Sequence, residues 1–87
     1  MIIGKVISSI VSTRKNESLI GSKFMIVEPL EIIGGKSFVA IDNVGAGIGE
    51  VVLVATGSAA RIGCDMNDAA VDAAIVGIVD NSIGLMD

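Results

Sequence analysis

Residues 2–11 carry the first clear pattern along the chain: Ile2, Ile3, Val6, Ile7, Ile10 and Val11 are β-branched and are interrupted by Gly4, Lys5, Ser8 and Ser9. Such side chains stack well on a pleated surface and lose χ1 freedom in a helix, so the segment predicts a first strand. A polar stretch at 13–18 leads to a second extended run at 23–28. Pro29 has no N–H to give a sheet ladder and so marks an edge or a strand end. Residues 31–36 predict a hairpin turn, because Gly34 and Gly35 can take positive φ at little steric cost. A third strand is expected over 37–44 and a fourth over 50–56, joined by a glycine-rich loop. Gly57 can end the fourth, and Ser58 predicts an N-cap for a helix of one or two turns through Ala59, Ala60 and Arg61. Residues 63–70 read as irregular, since Asp65, Asn67 and Asp68 offer side-chain bonds to their own backbone. A last extended run covers 74–79 and is closed by Asp80 and Asn81.

Five strands and one short helix within 87 residues predict an all-β chain forming a single domain over 1–87. A compact, partly closed barrel suits that content better than a flat sheet, which would expose two edges. The last strand places Ile75, Gly77 and Val79 opposite Ala74, Val76 and Ile78, so both of its faces are apolar. That pattern calls for cover beyond a simple barrel wall, and a neighbouring subunit is a ready source of it. Composition points the same way. The chain is 52% hydrophobic and 18% charged, against a usual charged share of about 25%, which is more apolar material than a small isolated core consumes.

Charge and residue types then remove several functions. Ten acids against six bases give a formal charge of −4 without a basic patch, and Phe24 and Phe38 are the only aromatics, a composition unsuited to nucleic acid. The apolar stretches at 51–55 and 73–79 are far shorter than a membrane span. No basic segment precedes residues 1–11, so a signal peptide is not expected, and the lone Cys64 gives no intrachain disulfide; both fit a cytoplasmic chain. With no histidine, zinc sites of His/Cys type and His-assisted nucleophiles fall away, and neither a metal nor a cofactor is expected.

What remains is the run Asp42-Asn43-Val44-Gly45-Ala46-Gly47-Ile48-Gly49-Glu50. A dinucleotide fingerprint needs its glycines to open a helix after a strand, and here strand-like residues 51–55 follow. Gly45, Gly47 and Gly49 are read as allowing special backbone angles or close chain approach, with an anion nest of successive N–H donors as the functional alternative. Asp42 and Glu50 flank the loop either as strand-end acceptors or partners of a base across a subunit boundary, or as paired carboxylates for acid–base work or a hard cation. Arg61 follows the capped turn, where it serves as a helix C-terminal cation or in an intersubunit ion pair. Arg14 and Lys15 beside Glu17 read as a solvated loop or an interface contact. Cys64 and the methionines are assigned to packing.

Taken together, Gly4-Lys5-Val6, Thr13-Arg14-Lys15, the long run 39–54, Gly57-Ser58-Ala59-Ala60-Arg61 and the segment 71–80 resemble the EutN/CcmL family of bacterial microcompartment vertex proteins. The resemblance covers almost the whole chain. It implies an OB-like five-stranded β-barrel that forms a cyclic homo-pentamer, caps the five-fold vertices of a polyhedral shell and meets hexameric shell proteins. It also implies an axial opening framed by Gly45, Ala46, Gly47, Ile48 and Gly49, and assembly roles for Thr13, Arg14, Lys15 and Arg61; Asp42 and Glu50 join these as interface candidates from the residue reading above. The sequence departs from the family pattern at Asn16-Glu17, where a His-Pro pair often stands, and at Ala70, where proline is common. The competing expectation is an oligomeric OB-like module that binds a small ligand, best an anion at the glycine loop.

Overall fold

The computed structural model describes residues 1–10, 23–63 and 72–80, with side chains of the helix described through Ala60. It contains β1 (Ile2–Ile10), β2 (Lys23–Pro29), β3 (Phe38–Asp42), β4 (Val51–Thr56), α1 (Ser58–Gly63) and β5 (Ala73–Ile78). The strands close in the order β1-β2-β3-β5-β4, and β4 returns to pair with β1. All pairings are antiparallel except that of β3 with β5, which is parallel and consists of Ile41 opposite Ala74 and Asp42 opposite Ile75. The result is a mixed, OB-like β-barrel with one short helix, as the residue pattern and the resemblance led one to expect.

Period-two alternation fills the interior. Val6 on β1 faces Val27 on β2, Val52 and Val54 come in from β4, and Ile75 from β5; these are the largest completely buried side chains. Ala40, Ala46, Ala73 and Met25 complete the core, with Ile2, Phe38 and Ile78 packed at its margins. Interiors of small barrels are filled by side chains rather than left hollow. Here small, mostly β-branched residues do the filling, so the strands must approach closely. Gly4 shows how closely. A Cβ built there would lie 2.6 Å from Val27 Cγ1 and 2.7 Å from the Glu28 carbonyl oxygen.

Two register shifts bend the wall. Val6 pairs with Val27 and Ser8 with Ile26, which leaves Ile7 unmatched and exposed on the outside. Leu53 pairs with Gly77 and Val54 with Ile75, leaving Val76 as the extra residue of β5. Bulges of this kind add local twist where a small sheet must close on itself.

Several boundaries differ from the sequence expectation for identifiable reasons. β3 ends at Asp42 instead of running to Val44, because the Asp42 carboxylate accepts the N–H groups of Val44 and Gly45 and turns the chain. The β2–β3 connection is not a two-residue glycine turn. The N–H groups of Ile33 and Gly34 both donate to the Leu30 carbonyl, and Gly34 and Gly35, at φ 77° and 109°, lead the chain out of that turn. Gly57, not Ser58, precedes the helix: its carbonyl accepts the Ala60 N–H and Ser58 is already helical. β5 obtains part of its second cover within the protomer, since α1 packs on β4 and β5. The cross-strand pair Ala55–Ala74, which faces away from the core residues Val54 and Ile75, is buried along with Ala60.

Because the Glu28 carbonyl is backbone, Gly4→Ala is expected to force β1 and β2 apart and to destabilise the fold by about 1–3 kcal/mol. Chemical denaturation checks this; an unchanged midpoint would mean the strands separate more easily than their spacing implies.

Candidate functional site

The loop between β3 and β4 spans residues 43–50, passing the neighbouring strand β5, and is held at each end by a carboxylate. At its start, Asp42 Oδ1 accepts N–H bonds from Val44 at 2.9 Å and from Gly45 at 3.2 Å. Gly45 has φ 83°, a conformation that a side chain would oppose. The other oxygen of Asp42, Oδ2, is completely buried and makes no hydrogen bond; Lys23 Nζ lies 3.5 Å away, at ion-pair distance. Lys23 and Asp42 are direct cross-strand partners on β2 and β3, so the sheet register itself brings these charges together.

At the far end, Glu50 closes the loop on itself. Its Oε1 accepts the Gly47 N–H at 2.6 Å, while its own N–H donates to the Gly47 carbonyl at 3.1 Å. β1 secures this arm: Gly49 donates to the Val6 carbonyl at 2.8 Å, and Val6 donates to the Glu50 carbonyl at 3.0 Å. Between the two clamps Ala46 turns inward and is 1% exposed within the barrel core. Ile48 turns outward and is 66% exposed.

These contacts change the meaning of the sequence candidates. Asp42 and Glu50 serve opposite ends of the loop, each with its own backbone partners. The N–H groups of Val44, Gly45, Gly47 and Gly49 are already given to Asp42, Glu50 and Val6, which leaves the small-anion alternative without the donor nest it requires. Ala46 packs into the protomer rather than lining its surface. Among the described residues, no group of three His, Cys, Asp or Glu side chains gathers as metal ligands do. Arg61 lies on α1, but its side chain, like the whole of Thr13, Arg14 and Lys15, falls outside the described residues. Residue reasoning missed the Gly47–Glu50 bond, although its signal, an acid three positions after a glycine at the mouth of a strand, was present.

At the opposite end, an open cleft is lined by Ile2, Phe38, Val39, Thr56, Asp72 and Ala73 beside Gly57. It forms where β3 outruns its short pairing with β5, while the Asp72 carbonyl is drawn to the Gly57 N–H at 2.8 Å.

A filled barrel with one self-satisfied loop and apolar side chains left on its outer wall defines a scaffold class of protein, one that acts through its surface. Comparison with known proteins identifies which. The family described as ethanolamine utilisation protein EutN/carboxysome matches residues 1–80. GrpN of Rhodospirillum rubrum, a bacterial microcompartment shell vertex protein, is 49% identical over 83 residues, covering 92% of this chain and 93% of that one. Its solved structure, described as a pentameric microcompartment shell protein, superposes with TM-score 0.82 over 93% of this chain and 95% of that one. PduN of Salmonella typhimurium, another shell vertex protein, is 41% identical over 92% of this chain and 96% of its own. The CcmL structure from a Nostoc species, 43% identical, gives TM-score 0.85 over 92% of this chain and 88% of that one. The chain belongs to the EutN/CcmL family of microcompartment shell vertex proteins, and that kinship supports a structural role at the shell vertex.

The two members of the Lys23–Asp42 pair are expected to contribute unequally. Asp42→Ala strips the acceptor from two loop N–H groups and should cost about 1–3 kcal/mol. Lys23→Ala should cost no more than about 1 kcal/mol, because the Lys23 side chain is 58% exposed and water screens its attraction. Urea denaturation of the two variants distinguishes these outcomes, and equal losses would contradict the assignment.

Proposed function

We propose that this protein forms a cyclic homo-pentamer that caps the five-fold vertices of a polyhedral bacterial microcompartment in the cytoplasm, with hexameric shell proteins as its neighbours. The observation that carries the reading is the full-length similarity to GrpN, a protein described as pentameric, at 49% identity. Physical features of the protomer support it. A closed ring buries every equivalent interface, and this barrel leaves Ile7, Val39, Val44 and Ile48 exposed on its outer surface. Burying a few hundred Å² of such surface at about 25 cal/mol per Å² stabilises an assembly on the scale of a small domain's own folding free energy.

In this reading the loop residues Gly45, Gly47, Ile48 and Gly49 approach the five-fold axis, while Ala46 holds the loop to its own barrel. The small size of the glycines lets five chains converge. Thr13, Arg14, Lys15 and Arg61 are assigned to contacts between neighbours. Glu50, exposed at the surface, is available to such contacts as well; the buried Asp42 acts on them through the loop it shapes.

Native mass measurement of the purified protein, with and without co-assembled shell proteins, is expected to show a five-chain species. Its absence under both conditions would overturn the proposal. Imaging of shells assembled without this chain is expected to show particles open at their corners.

A further inference from the structure

We propose that the open cleft between β3 and the β4–β5 pair receives an extended peptide segment of a partner protein, alternating apolar and basic side chains, as a short strand added beside β3. This surface lies at the opposite end of the barrel from the 43–50 loop and does not depend on a ring.

The cleft has a backbone cause. β3 pairs with β5 only through Ile41 and Asp42, so Phe38, Val39 and Ala40 have no ladder partner on that side among the described residues. β5 begins at Ala73, and the chain just ahead of it leans toward the end of β4, where the Asp72 carbonyl accepts the Gly57 N–H at 2.8 Å. The wall is thereby drawn away from β3, and a cleft of about 580 Å³ opens. A strand edge left bare in this way is a template for one more strand, in which main-chain bonds supply affinity and alternate side chains supply specificity.

The lining dictates the alternation. Ala73 belongs to the barrel core, and Phe38 and Ile2 pack against it, so a side chain pointing inward from the added strand meets an apolar floor. Val39 and Asp72 adjoin Phe38 and Ala73 in sequence and take the outward side, where both are exposed. Asp72 is the one charged residue among the described residues that line the cleft, and no hydrogen bond or ion pair engages its carboxylate among them. An outward side chain of the added strand stands beside that carboxylate, and charge complementarity selects a lysine or arginine there. The net charge of −4 draws a basic segment in from a distance as well.

NMR titration of the methyl-labelled full chain with a capped synthetic hexapeptide that alternates lysine and valine tests this. Methyl signals of Ile2, Val39, Thr56 and Ala73 are expected to shift saturably, while those of Val44 and Ile48 at the other end stay in place. No saturable shift at the cleft, or equal shifts at both ends, would overturn the site. Glutamate in place of lysine in the peptide should abolish saturation. Asp72→Asn in the protein, which keeps the carbonyl bonded to Gly57, should weaken binding of the lysine peptide about two- to five-fold, the scale of one exposed ion pair. Methyl signals elsewhere in that variant report whether the barrel is intact, and unchanged affinity in either experiment would overturn the charge assignment. A fully N-methylated peptide keeps the side chains and loses its N–H donors; binding as tight as the parent's would overturn strand addition.

Discussion

The Asp42 carboxylate is where chain direction, barrel closure and loop shape meet. It stands at the last residue of β3, in the parallel pairing with β5 that closes the barrel, opposite Lys23 on β2 and at the root of the 43–50 loop. A buried carboxylate is tolerated only when hydrogen bonds or an opposite charge compensate its lost hydration. Asp42 obtains both, two N–H bonds on one oxygen and an ammonium near the other. The bonds that satisfy it also end the strand, so the solvation requirement of one side chain dictates where β3 gives way to the loop.

Glu50 completes the arrangement from the other side, and the contrast between the two acids is informative. Asp42 is buried and local, shaping the chain's exit from the sheet. Glu50 is exposed and reaches back three residues to shape the re-entry. Because these two acids and Val6 take the N–H groups of Val44, Gly45, Gly47 and Gly49, those donors are not open to a dissolved anion. The loop's preorganisation instead favours contact with another surface, where a fixed shape avoids an ordering penalty on association.

Much of this fold was legible in the residues. The β-branched runs located all five strands to within a few positions, and Pro29 and Gly57 marked ends that the structure keeps. The boundary shifts come from local bonds such as those of Asp42, whereas the misses over burial share another origin: alternation reports which face a residue takes within a strand but says nothing about which element covers that face. Ala74 is covered by α1, which a two-sided apolar pattern cannot distinguish from a neighbouring chain. Ala46 illustrates the same gap inside a loop, where no period exists to separate an inward methyl from an outward one. The parallel β3–β5 contact is two pairs long and leaves no periodic trace at all. The family resemblance supplied what the pattern could not, because an ordered series of motifs carries topology that local periodicity does not.

The interior also bears on function. Its largest completely buried side chains are four valines and one isoleucine, with alanines and Met25 completing the core, and β1 approaches β2 so closely that a Cβ at residue 4 would clash with Val27 and the Glu28 carbonyl. Such a barrel is a solid block rather than a container. Its rigidity has a use if several copies must meet at a fixed angle, since a packed core transmits strain instead of yielding to it. The bulges at Ile7 and Val76 then matter as shape: by sharpening the bend of β1 and β5 they set the outer contour of the block. In the proposed ring, a small core without slack, clamped by two carboxylates at its loop, would hold the angle between neighbours with few residues.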